Sequence, residues 1–185
     1  MQGTRLFQIS PWRAAGFLPV SAAALLAGMG APRAFSADEP ALRVTAPGQS
    51  VALSAQELGA LPHVEITAFD PHEKKAHRYS GVAVRDILAK VGVPFGEKLR
   101  GAGLRQAVIV HSKDGYSTLF AVAEFDGDFD SRTILLVDGE DGKPLPPGLG
   151  PLHLVAPGDK RSARWARMVT SIEVVTVPAA GQAAR

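Results

Sequence analysis

Four cations crowd one short segment. Lys160, Arg161, Arg164 and Arg167 surround Ser162 and Trp165, directly after the step Ala156-Pro157-Gly158. A guanidinium is a planar fork that matches phosphate oxygens, and a loop entering a helix adds free backbone N–H donors. Lys160, Arg161, Ser162, Arg164 and Trp165 are therefore the candidate ligand-binding set, and the ligand they suit is an anion. The competing reading is a solvated basic turn paired with acids such as Glu173, the ordinary fate of a charge run. Trp165 packs either a ligand ring or the core.

Other chemistry has less support. Asp126, Asp128 and Asp130 match the first three positions of a calcium loop, but Ser131 stands where glycine is required and Val137 where a bidentate acid is. These acids read as turn residues. His72 and His77, with Asp70 and Glu73, are residue types that bind zinc or copper. Their five-residue spacing does not share a helical face, and Pro71 points to a surface loop. His63, His111 and His153 read as structural histidines at strand edges. Gly-x-Ser-x-Gly, a Walker loop and a dinucleotide fingerprint are absent. The 185-residue chain has no cysteine, so it offers no disulfide, thiolate metal ligand or cysteine nucleophile. No metal site is assigned, and no catalytic residue.

The elements that must position these residues are mostly strands. Leu42 to Thr45 and Val51 to Leu53 are apolar runs separated by the turn pair Pro47-Gly48. Ser54 and Glu57 form a capping box that opens a short helix, which Pro62 stops. Val64, Ile66 and Ala68 alternate with polar or outward positions as a strand does. Val84, Ile87, Leu88 and Val91 carry the helical spacing, predicting a helix over Ser80 to Gly92. Ala107 to Val110 and Ser117 to Val122 flank a hairpin turn with Gly115 at positive φ. Thr133 to Val137, Leu152 to Ala156 and Ile172 to Val177 complete the strands, and Ser162 to Val169 reads as a helical turn or short helix. About eight strands and three short helices predict an α+β fold with a strand-dominated, mixed-sheet or barrel-like core.

The first 36 residues read as a secretory signal. Arg5 and Arg13 form a positive start, Ala14 to Gly30 is apolar, and Ala34-Phe35-Ser36 sets a cut between Ser36 and Ala37. The expectation is a periplasmic or secreted protein with no stable membrane span after processing. The mature domain then covers residues 37–177, with a frayed tail over 178–185. Three arginines and no acid leave with the leader, so 17 basic residues face 18 acidic ones, a net of −1. That balance excludes a basic nucleic-acid binder.

Several stretches together resemble the oxidoreductase molybdopterin-binding domain, the fold of sulfite oxidases and protein-methionine-sulfoxide reductase catalytic subunits. They are Tyr79-Ser80-Gly81-Val82 leading into Arg85-Asp86-Ile87-Leu88, Ser112 to Tyr116, Leu135-Leu136-Val137 with Asp141-Gly142-Lys143-Pro144-Leu145, and Gly150 to Gly158. In that family a basic-Ser-x-basic-Trp loop holds the phosphate of the pterin cofactor, and Arg161-Ser162-Ala163-Arg164-Trp165 is similar residue by residue. The glycine that often opens the family loop is Asp159 here. The resemblance implies molybdopterin as cofactor, but catalytic members ligate molybdenum through a cysteine in the stretch matching Phe69 to Tyr79. This chain has none, so the resemblance implies a protein that binds a pterin or other anionic small molecule without conventional sulfite-oxidase-type catalysis. Two alternatives stand beside it: a molybdenum-dependent oxidoreductase with a non-cysteine metal shell, and a module that engages a periplasmic partner protein with no cofactor.

Overall fold

The computed structural model describes residues 40–179. The signal segment and its cut, and the tail from residue 180 onward, lie outside the described residues. Among the described residues, ten strands form two five-stranded sheets. The first runs β2 (Gln49–Leu53), β1 (Leu42–Ala46), β10 (Val169–Thr176), β5 (Gln106–Ser112), β6 (Ser117–Ala121). It is mixed: β1 pairs with β10 in parallel, and the other pairs are antiparallel. The second runs β3 (His63–Asp70), β4 (Lys75–Ala83), β7 (Leu135–Glu140), β8 (Lys143–Pro144), with β9 (His153–Val155) beside the first half of β7. Two short helices, α1 (Ala55–Gly59) and α2 (Val84–Ala89), complete the α+β architecture. Among the described residues no helix is long and apolar enough to cross a membrane.

Period-two burial builds the core. Leu42 and Val44 of β1, Val108 and Val110 of β5, and Ile172 and Val174 of β10 point inward from the first sheet. Tyr79 and Val82 of β4 and Leu135, Leu136 and Val137 of β7 come from the second, joined by Val84, Ile87 and Leu88 of α2. The first half of β7, Leu135 to Val137, is buried on both faces, hence its continuous apolar run. The Ser54–Glu57 capping box is formed in both directions and starts α1 as expected.

Two sequence expectations are corrected. Residues 70–79 are not a loop leading to a helix: the chain turns at 71–74 and returns as β4, paired with β3 from His63↔Val82 to Asp70↔Lys75. The inward residues of the first half of β4 are His77 and Tyr79, so that stretch lacks an aliphatic alternation, and His77 is buried rather than on a surface loop. The helix expected from Ser80 begins only at Val84, because Ser80 to Ala83 pair with β7. Gly81 sits at a register shift in that pairing, where a Cβ would lie 2.5 Å from Val137 Cα. Only glycine lets the two backbones approach so closely. The segment after Gly158 holds a single 3-10 turn, Ser162–Arg164, and β10 begins at Val169.

Candidate functional site

The basic segment is the connection from β9 to β10, and hydrogen bonds fold it back on itself. Gly158 turns the chain at φ 82°, and Asp159 N–H reaches Ala156 O. Trp165 then returns to the start of the loop: its Nε1–H donates to Ala156 O at 2.9 Å, and its N–H to Ser162 O. The indole is buried, edge-on to Tyr79 at 5.9 Å and to His153 at 6.2 Å. Trp165 is thus the core anchor of the loop. His153 is also buried, with Nδ1 bonded to Ala166 O at 2.9 Å, the structural role expected of it. Burial pushes its pKa down to about 4.

Arg164 does not project as a free cation. It donates to Asp159 through Nε at 3.0 Å and NH2 at 2.8 Å, donates to Glu124 at 2.9 Å, and lies 4.4 Å over the Phe120 ring. Arg132 reaches the same carboxylates and grips Asp130 at 2.6 and 2.8 Å. Five side chains form one network in which Asp159 is clamped between two guanidiniums. Hydrogen bonding to Asp159, ahead of burial that works the other way, raises the Arg164 pKa and keeps it charged. The acid that the basic-turn reading nominated, Glu173, instead faces His111 Nε2 at 3.4 Å. Asp126 is buried and accepts from Gly96 N–H and Asp128 N–H, the turn role its sequence gave.

The cations left over are Lys160, Arg161 and Arg167, all exposed and, among the described residues, without an ion pair within 4.0 Å. Arg167 lines a cleft of about 230 Å³ between the loop and the β5–β6 turn, whose other walls are Ser112, Asp114, Tyr116, Ser162, Ala163 and Trp165. The turn is tied to the loop at two points: Tyr116 Oη–H donates to Ala163 O, and Lys113 N–H to Met168 O at 2.9 Å. Ser112 is buried at 7% exposure, and its hydroxyl has no hydrogen-bond partner. A buried hydroxyl without a partner carries a desolvation cost of about 1–3 kcal/mol, which a bound acceptor or donor would relieve. On the far side of the loop Phe69, Pro71, Gly158, Asp159 and Lys160 line a second cleft of about 350 Å³.

Of the five residues singled out in the sequence, Ser162 and Trp165 line the first cleft, Lys160 lines the second, Arg161 is exposed on the loop between them, and Arg164 is tied into the ion network. Sequence reasoning missed Ser112, Tyr116, Glu124, Asp130 and Arg132 as neighbours of the loop. Ser112 to Tyr116 was visible as a stretch resembling the family, but nothing local joined it to a loop 47 residues away. Among the described residues no group of three or more His, Asp or Glu side chains is arranged to hold a metal ion.

A molybdopterin fits this arrangement in part. The partnerless Ser112 hydroxyl and the exposed Arg167 suit a hydrogen-bonding, phosphate-bearing ligand, while Asp114 in the same lining sets an acid beside it. The chain supplies no thiolate for molybdenum. The cleft is also smaller than the roughly 300–1,000 Å³ of pockets that enclose a whole drug-sized ligand, so part of such a group would lie along the surface.

The sequence matches the oxidoreductase molybdopterin binding domain family over residues 29–183. The fold is similar to that of the sulfane dehydrogenase SoxCD from Paracoccus pantotrophus, with a TM-score of 0.57 and 16% identity. That likeness covers 72% of this chain and 37% of that one, so this chain spans little more than a third of the protein it resembles. No curated protein matches the sequence.

Proposed function

The chain belongs to the oxidoreductase molybdopterin binding domain family, and on that premise we propose that it binds a pterin cofactor or a related phosphate-bearing ligand without conventional sulfite-oxidase-type catalysis. The supporting observation is the buried, partnerless Ser112 hydroxyl in a cleft walled by the cationic loop. Ser112 hydrogen-bonds the ligand, Arg161 and Arg167 hold its phosphate, and Tyr116 keeps the two walls together through Ala163. Arg164 and Trp165 position the loop. A bound molybdopterin would supply a phosphate and a hydrogen-bonding heterocycle.

The same reading has the protein exported, with its leader cut between Ser36 and Ala37, to work in the periplasm or outside the cell. Mass spectrometry of the protein from the periplasmic fraction checks that cut. Binding is tested by calorimetry with inorganic phosphate and a pterin monophosphate. Ser112→Ala is expected to leave stability unchanged or slightly higher and to weaken the pterin ligand about tenfold, the value of one lost hydrogen bond of about 1.4 kcal/mol. An Arg161→Ala/Arg167→Ala double variant weakens both ligands. Equal affinities in the parent and all variants, or none in any, would refute the ligand reading and leave the partner-protein alternative.

A further inference from the structure

The ring of His77 is enclosed by carboxylates contributed by two different hairpins. Its Nε2 lies 3.0 Å from Glu73 Oε2, in the β3–β4 turn. Its Nδ1 lies 2.9 Å from Asp141 Oδ2 and 3.1 Å from Glu140 Oε1, at the end of β7 and the start of the β7–β8 turn. The side chain is 7% exposed. Carboxylate oxygens accept and do not donate, and a neutral imidazole carries one N–H only. In a neutral ring one lone pair would face a carboxylate at about hydrogen-bond distance, an arrangement that repels. Both contacts are satisfied together only by the imidazolium.

We propose that His77 is a proton-operated latch: the doubly protonated ring fastens the β3–β4 hairpin to the β7–β8 turn, and loss of one proton releases it. Release follows from the charges that remain. Glu73, Glu140 and Asp141, with Asp70 at the end of β3, are left around an uncharged ring. Lys75 lies 3.9 Å from Asp141, and the other cations nearby are Arg78, next to His77 on β4, and Lys143 on β8. Tyr79, its ring 6.0 Å from the imidazole, offers a neutral phenol. Burial draws the His77 pKa down, but the hydrogen bond to Asp141 and the charges of Glu140 and Asp141 outweigh it against Lys75, and the net shift is upward. Burial also raises the Glu140 pKa, and the charge on His77 works against that rise.

The latch bears on the rest of the molecule through the hairpin it holds. Phe69 and Pro71, on that hairpin, form one wall of the second cleft opposite Lys160. The fastened state fixes that wall, and the released state frees it. The latch stands whether or not the protein binds a pterin.

With the folded pKa raised above 6.5, the latch is fully fastened below pH 6.5 and is lost as pH rises through the folded value, by at most tenfold per pH unit. The reporters are the Arg78 amide, which donates to Asp141 Oδ1 at 3.0 Å, and the Asp141 amide, which donates to Arg78 O at 2.7 Å. The experiment is ¹⁵N NMR of the His77 ring from pH 5 to 9, with amide protection factors measured in parallel. Two ring N–H groups at pH 6, a midpoint above 6.5, and protection of both amides falling through that midpoint are expected. A single neutral tautomer at pH 6, or protection that stays flat while the ring titrates, overturns the latch. Glu73→Gln removes the half-exposed carboxylate and leaves the core alone. It should move ring midpoint and release to lower pH together, and an unmoved midpoint would also overturn the proposal.

Discussion

Replacing Asp159 by asparagine should weaken the fold and strengthen anion binding at once. The Asp159 side chain is 9% exposed and accepts from Arg132 NH1 at 3.1 Å and from Arg164 Nε and NH2 at 3.0 and 2.8 Å. Asparagine keeps the shape and one acceptor but removes the charge. Breaking a fully buried pair costs about 3–5 kcal/mol and an exposed one about 0–1. Here the carboxylate is buried while the guanidiniums are 29% and 34% exposed, and Glu124 and Asp130 remain as partners. An intermediate loss of about 2 kcal/mol follows, a fall of about 1 M in the urea midpoint at an ordinary slope. The network's formal charge rises from −1 to zero, since three acids and two arginines become two and two. One charge removed about a Debye length (~8 Å) from a bound phosphate gives about 0.5–1 kcal/mol, or about two- to fivefold tighter binding, fading with added salt. Urea melts and phosphate titrations at low and high salt read both effects. A variant as stable as the parent, with unchanged phosphate affinity, would refute the assignment of Asp159 as the internal counter-ion of the loop.

Three further outcomes are expected. Gly81→Ala would press a Cβ to 2.5 Å from Val137 Cα, backbone against backbone, and should cost about 3 kcal/mol or more in a urea melt. A loss below 1 kcal/mol would mean that the β4–β7 approach relaxes freely. Trp165→Phe removes the shorter of the two N–H donors to Ala156 O, leaving that of Asp159 at 3.4 Å, and should cost about 1 kcal/mol, visible as a lower melting temperature. His153, held neutral by burial with a pKa of about 4, binds no proton in the folded state where the unfolded chain does. Stability should therefore fall by about 3 kcal/mol as pH drops from 6.5 to 4. His77 adds little slope in that window, because its folded pKa is raised and the unfolded ring takes up its proton near the top of the window. His153→Gln should remove that share of the acid sensitivity, and equal slopes in the two proteins would contradict the assignment.

Elements whose signals are local were legible in the sequence. The Ser54–Glu57 box, the alternation of Val64, Ile66 and Ala68, and the turn at Gly115 with φ 87° all rest on neighbours within a few residues. Strand β4 was hidden because its inward positions hold His77 and Tyr79, whose burial depends on β7 and the turn beyond it. The apolar spacing after Ser80 was real, but pairing with β7 claims the first four residues before the helix starts. At the site, the loop was legible from its charge density and from its resemblance to the family. Its neutralisation was not, because Glu124, Asp130 and Arg132 reach it only through the fold. The opposite wall at Ser112 holds one cation and one acid, Lys113 and Asp114, in a turn, a pattern that marks no anion site.

The central claim is that this chain holds a pterin or similar phosphate-bearing ligand without thiolate-bound molybdenum. The most direct measurement is the content of pterin, phosphate and molybdenum per chain, in protein purified from a host that makes the molybdenum cofactor. A phosphorylated ligand with molybdenum far below one per chain is expected. Molybdenum near one per chain would contradict the loss of conventional catalysis, and protein carrying no ligand and showing no phosphate affinity would contradict the binding site itself.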